Sequence, residues 1–194
     1  MEKEEAKLNW KQNTVLYLHD LIHLLAVIMI LFLLVFRVIV VSGSSMYDTL
    51  LNGDYLLLLS NVFYQEPEHG DIVVISKESF DNGKPIVKRV IATEGQTVDI
   101  DFEAGIVYVD GVALEEDYIY TLTTVDEGTQ FPLTVEEGCI FVLGDNRGVS
   151  LDSRNPSIGQ VDTREVLGRA LFLMYPGDHY GRDIRDLDRI GVIK

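Results

Sequence analysis

Three places in the 194-residue sequence combine side chains able to do covalent chemistry. The first is Ser42-Gly43-Ser44-Ser45-Met46. A serine hydroxyl is a weak nucleophile until a base takes its proton. His69 and His179 could supply that base, but neither sits in a motif that aims it. The other choice is a lysine, which is a base only when neutral, and burial makes it so. Lys88 meets this condition. It lies in Pro85-Ile86-Val87-Lys88-Arg89-Val90-Ile91, an apolar strand pattern with a charged pair inside it. Strict alternation puts Lys88 with Ile86 and Val90, and Arg89 with Val87 and Ile91, so one cation must point along an apolar face. Lys77 and Lys84 stand in polar loop sequence and are weaker bases. The third place is Gly144-Asp145-Asn146-Arg147-Gly148-Val149-Ser150-Leu151-Asp152-Ser153-Arg154. Its density of hydrogen-bonding side chains suggests a polar network rather than a plain loop. Asp152 and Arg154 could pair there, and Ser150 could exchange a hydrogen bond with a catalytic neighbour. Taken singly, the alternatives are a strand with two solvated cations and a solvated turn.

These residues need elements to hold them. From Leu24 to Phe36 every residue is apolar, and the run extends from Leu21 to Val41 with only His23 and Arg37 interrupting. At about 1.5 Å per residue that length spans about 30 Å, one hydrocarbon core. A buried core helix fits poorly because the run is apolar all round. A cleaved leader lacks a clear A-x-A site. The expectation is a retained membrane anchor, with the N-terminus on the cytoplasmic side because lysines precede the span. After Val41 the texture becomes short strands: DYLLLLS, DIVVIS, PIVKRVIA, TVDID, GIVYVDG, CIFVLGD and RALFLMY, punctuated by Gly, Asp, Asn and Pro. TVDID and GIVYVDG form an expected hairpin, with Phe102-Glu103-Ala104 in the turn. The expected organisation is an N-terminal segment over 1–20, a transmembrane helix over 21–41, a mainly β domain over 42–176 and a polar tail over 177–194.

Charge narrows the function. The chain carries a net −15, and residues 1–41 are neutral, so the whole excess lies on residues 42–194. Such a surface repels phosphate, which argues against nucleic-acid binding. One cysteine, Cys139, excludes an internal disulfide and any multi-Cys zinc site; its apolar strand predicts a buried core role. His19 and His23 stand four apart without a third ligand nearby, so no metal is implied.

Together the segments resemble bacterial type I signal peptidases, membrane-bound serine proteases with a Ser/Lys dyad. Ser42–Leu50 resembles the nucleophile box, with Gly53-Asp54 shortly after, Lys88–Ala92 the lysine box, and Gly144–Arg154 the last box. The resemblance implies a signal-peptidase-like β-sheet or barrel domain behind one transmembrane helix. It implies Ser45 as nucleophile, Lys88 as general base and Ser150 as the serine that hydrogen-bonds that lysine. Asp152 and Arg154 correspond to a supporting ion pair, and Asp145 to a further structural acid. Val41, Gly43, Met46, Leu50, Ile86 and Val87 are implicated in binding substrate. The implied partners are signal peptides of exported precursors, cut after small residues, and the bilayer; no cofactor is implied. Two positions depart from the pattern. Asp48 stands where a proline is usual and could build the turn through its own side chain. Gly43 stands where some members carry a serine that donates to the oxyanion. A self-cleaving Ser/Lys protease and a non-catalytic peptide-binding β-domain are the alternatives.

Overall fold

The computed structural model describes residues 10–177 and 185–193. The chain divides into two units, Met1–Phe36 and Arg37–Lys194. The first contains helix α1, Trp10–Val35. Within it, Asn13–Val35 is long and apolar enough to cross a membrane by length and composition. Its large apolar side chains from Val15 to Leu34 are exposed. The helix departs from the expected 21–41 span at both ends. It begins earlier because residues 10–20 are themselves compatible with helix. It ends earlier because Phe36-Arg37-Val38-Ile39-Val40 forms strand β1, Phe36–Val40. Val and Ile pack well on a pleated surface, and apolarity alone does not separate the two states.

The second unit is built from strands β2 (Tyr55–Ser60), β3 (Ile72–Ile75), β4 (Ile86–Thr93), β5 (Thr97–Asp101) and β6 (Ile106–Val109). They are followed by β7 (Val112–Ala113), β8 (Leu133–Thr134), β9 (Cys139–Leu143), β10 (Val161–Asp162), β11 (Val166–Tyr175) and β12 (Gly191–Val192). One eight-stranded sheet runs β1-β2-β11-β3-β4-β9-β10, with β12 also on β11. A four-stranded sheet runs β7-β6-β5-β8. The mainly β expectation holds, as two sheets; the larger has β1 and β10 at its ends. The predicted hairpin is β5–β6, with Val98 opposite Val109 and Ile100 opposite Val107.

Burial follows position. β3 is an interior strand, and all four of its residues, Ile72-Val73-Val74-Ile75, are buried. One apolar cluster joins Val41, Met46 and Leu50 to Leu56, Leu58, Ile72, Val74, Ala170 and Leu173, so the turn after β1 rests on β2, β3 and β11. A second cluster places Val98, Ile100, Val107 and Val109 against Ile91, Phe141 and Leu143, seating the small sheet on β4 and β9. Each fully buried aliphatic side chain contributes roughly 1.5–3 kcal/mol. Cys139 is only half-buried, at the start of β9, rather than deep in the core; it packs at the edge of this second cluster.

The expected polar tail also needs correction. In β12, Val192 pairs with Phe172 and Gly191 with Leu173. Ahead of β12, Arg189 reaches the fully buried Asp54, with Nη2 2.8 Å from Oδ2 and Nη1 3.0 Å from Oδ1. Asp54 also accepts the N–H groups of Leu51 at 2.8 Å and Gly177 at 2.6 Å. The end of the described chain is therefore part of the domain.

Candidate active site

Alternation along β4 sends its two cations to opposite faces, and both are buried. Val73 of β3 is the register partner of Lys88, and Ile72 that of Arg89. Lys88 is 3% exposed, and its Nζ donates to Ser45 Oγ at 2.9 Å and to the Val87 carbonyl at 3.1 Å. Burial is the main reason its pKa falls from 10.5 to about 8; Asp152, Asp145 and Glu127 pull it back up, and Arg154 opposes them. A lysine in that range is partly neutral at physiological pH and can accept a proton from a hydroxyl it already touches.

Ser45 sits in the turn after β1. The turn is closed by Tyr47 N–H to Ser44 O at 3.2 Å and Leu50 N–H to Met46 O at 2.8 Å. Asp48 is exposed there and its side chain makes no hydrogen bond among the described residues, so backbone bonds, not Asp48, hold the turn. The last box clamps the same turn from 102 positions further along the chain. Asn146 N–H donates to Ser45 O at 2.9 Å and Asn146 Nδ2 to Ser44 O at 3.2 Å. Among the described residues, the Ser45 N–H itself has no protein acceptor, which leaves it available to an incoming oxyanion. The Gly43 N–H is engaged, donating to Asn52 Oδ1 at 3.0 Å, and its φ of +101° suits glycine.

Asp145 and Asp152 each belong to a buried ion pair. Arg89 holds Asp145 with two bonds, at 2.9 and 2.8 Å, gives a third to Gly70 O at 3.0 Å and lies 4.0 Å over the Tyr118 ring. Thr49, in the Ser45 turn, also donates to Asp145, at 2.5 Å. Asp152 and Arg154 pair as expected, through two contacts of 2.9 Å, both side chains fully buried. Arg154 also donates to the carbonyls of Arg147 at 2.8 Å and Ser150 at 3.1 Å. Ser150 differs from its expected part. Its Oγ is buried with no hydrogen-bond partner, and Lys88 bonds to Ser45 and Val87 instead. A motif fixes which residue stands there, not its rotamer.

Gly144 is a site residue that the sequence reading passed over. A Cβ added there would lie 2.1 Å from Ser150 Oγ and 2.5 Å from Ser45 O. The backbone of the last box thus touches both serines, which only glycine allows. Arg147 was also missed: it is fully buried against Glu116 at 2.5 Å and Thr123 at 2.5 Å. Glu116, Thr123 and Glu127 lie in a segment with no motif, so no local signal could have found them.

A cavity of about 510 Å³ opens beside Ser45 and Lys88. Val41, Ser45, Met46, Ile86, Val87 and Lys88 line it, with Ile39, Val40, Phe80, Asp81 and Lys84 on its walls. Two expected substrate-binding residues are elsewhere. Leu50 faces the core cluster at 1% exposure because its turn directs it inward, and Gly43 is outside the lining. His69 Nδ1 bonds the Ile91 carbonyl at 2.8 Å rather than Ser45, and His179 lies outside the described residues. Among the described residues no three His, Cys, Asp or Glu side chains converge as metal ligands.

Residues 15–175 match the family described as signal peptidase, peptidase S26. The chain belongs to that family. Its activity is that of a serine endopeptidase. "Probable signal peptidase I-1" of Synechocystis sp. is 36% identical over 152 residues, 73% of this chain and 72% of that protein. Signal peptidase I of Bacillus licheniformis is 31% identical over 181 residues, 89% of this chain and 95% of that one. A crystal structure of a signal peptidase I from Enterococcus faecalis is 34% identical, with a TM-score of 0.43 over 54% of this chain and 96% of that chain.

Proposed function

We propose that Ser45 is the nucleophile and Lys88 the general base in the removal of signal peptides from exported precursors. The observation that carries this reading is the 2.9 Å contact between Lys88 Nζ and Ser45 Oγ, made by a lysine whose hold on its proton burial has loosened. Neutral Lys88 takes the Ser45 proton as Oγ attacks the carbonyl of the scissile bond. The oxyanion that forms receives the Ser45 N–H. Each such donor typically contributes about 2.7–4 kcal/mol to the transition state. The C–N bond breaks as the ammonium of Lys88 returns its proton to the leaving amine. The mature protein leaves and an ester to Ser45 remains. Water, deprotonated by Lys88, then hydrolyses the ester.

The cavity lined by Val41, Met46, Ile86 and Val87 suits small apolar side chains ahead of the cut. β1, an end strand of the large sheet, offers an edge to which an extended peptide can add. Asn13–Val35 would anchor the enzyme in the bilayer that holds its substrate, with the N-terminus cytoplasmic and the peptidase domain on the far side.

The test is cleavage of a precursor peptide with alanines at the first and third positions before the cut, by the full chain in detergent. Ser45→Ala and Lys88→Arg should both fold and both be inactive, since Arg stays protonated. The wild-type rate should rise with pH through about 8. Cleavage by either variant, or a flat profile, would refute the dyad.

A further inference from the structure

The end of the described chain closes on the stretch that carries Ser45, and Arg189 makes the polar contact. A short turn at Leu187–Arg189 presents it, opened by Asp186, whose side chain accepts the Asp188 N–H at 3.1 Å. The Arg189 guanidinium then serves two partners. Nη1 and Nη2 donate to the two oxygens of buried Asp54, and Nη2 also donates to the Thr49 carbonyl at 3.2 Å. Thr49 is therefore gripped twice, because its hydroxyl donates to Asp145 at 2.5 Å. Asp54 extends the grip along the chain by accepting the Leu51 N–H at 2.8 Å. Leu50, between these two residues, donates its N–H to Met46 O at 2.8 Å, next to Ser45. Ile193, just beyond Arg189, packs against the apolar cluster that contains Met46 and Leu50. Neutralising Asp54 needs only a cation beside it and does not need the bond to Thr49. That bond ties the cation to the turn. A planar guanidinium can hold a carboxylate and still reach a neighbouring carbonyl, whereas an ammonium concentrates its donors at one point.

We propose that Arg189 is a positioning residue for the peptidase reaction, fixing the Ser45 turn through the Thr49 carbonyl and Asp54. The inference rests on the assignment of Ser45 as the nucleophile. The last box holds Ser44 O, Ser45 O and the Thr49 hydroxyl. Arg189 holds the Thr49 carbonyl directly and the Leu51 N–H through Asp54. Together the two sets of bonds fix the turn at its start and at its end. Without the second set, the end is released and Ser45 Oγ is free to drift from Lys88 Nζ. Val41 in the cavity wall is held independently of Arg189. Its N–H donates to Asp54 O at 2.9 Å, and its carbonyl accepts the Gly53 N–H at 2.8 Å. Loss of Arg189 should therefore damage the attack on the scissile carbonyl and spare the binding of substrate.

The experiment measures kcat and KM on the precursor peptide for the full chain in detergent, comparing wild type with Arg189→Lys and Arg189→Ala. Near-ultraviolet circular dichroism at the assay temperature gives the folded fraction, and kcat is expressed per folded molecule. Arg189→Lys keeps a cation for Asp54 without the planar fork, so it separates positioning from stability. Both variants should lose about tenfold or more in kcat per folded molecule, with KM unchanged. Wild-type kcat per folded molecule in either variant, or a loss carried by KM, would overturn the proposal. So would failure of both variants to fold, which would make Arg189 part of the scaffold alone. Cleavage by Ser45→Ala would instead remove the nucleophile assignment, a distinct outcome.

Discussion

Replacing Lys88 by methionine should stabilise the domain at neutral pH, although it removes the proposed base. The folded pKa of Lys88 is about 8 and its ordinary value 10.5. Between those values the unfolded chain binds more protons than the folded one, so wild-type stability rises with pH across that window. Below pH 8 the disadvantage is fully present, and above 10.5 it is gone. At 1.36 kcal/mol per unit the separation amounts to about 3 kcal/mol. Methionine fills similar space without a charge to desolvate, but it forfeits the bonds to Ser45 Oγ and Val87 O, each worth about 1 kcal/mol. The variant should therefore be the more stable protein at pH 7 by about 1 kcal/mol and the less stable one above pH 10. Unfolding of both full chains by urea in detergent, followed by near-ultraviolet circular dichroism from pH 6.5 to 10.5, measures the difference. Most other titrations cancel in it. A difference that stays constant across that range would refute the buried, weakened lysine and with it the physical basis of the base assignment.

Two more outcomes follow from single contacts. Gly144→Ala puts a methyl group against Ser150 Oγ and Ser45 O, so the nucleophile must shift. A displacement of that order should lower kcat about 100-fold, with the unfolding midpoint falling by the equivalent of roughly 1–3 kcal/mol; wild-type turnover would show that the two serines are not fixed by this backbone. Arg189→Ala leaves fully buried Asp54 without its cation. The loss should be about 3 kcal/mol, the low end for a buried pair, because a fifth of the Arg189 side chain is in water. An unchanged denaturation curve would mean that Asp54 is satisfied by backbone N–H groups alone.

Alternation in β4 singled out Lys88 but left open a strand with two solvated cations; the fold buries both. The boxes singled out Ser45, which touches Lys88, and the buried acids Asp145 and Asp152 with Arg154. Other features depend on partners distant in sequence. The strand β1 reads as helix until β2 is available to pair with it. Leu50 reads as a groove residue until the turn around Met46 directs it to the core. The 177–194 segment reads as a solvated tail because its partner, Asp54, lies 135 positions earlier. Ser150 shows the limit of a motif, since its position was read correctly but not the direction of its hydroxyl.

The clamp of Asn146 on Ser44, 102 positions upstream, has a consequence for the timing of synthesis. A nascent chain carrying Ser45 and Lys88 still lacks Asn146, the glycine against which both serines rest, and the pair Asp152–Arg154. The proposed nucleophile and its proposed base are thus made early but brought into register late. A half-made peptidase is a harmless polypeptide, and its cutting power arrives only once the distant segment has folded back.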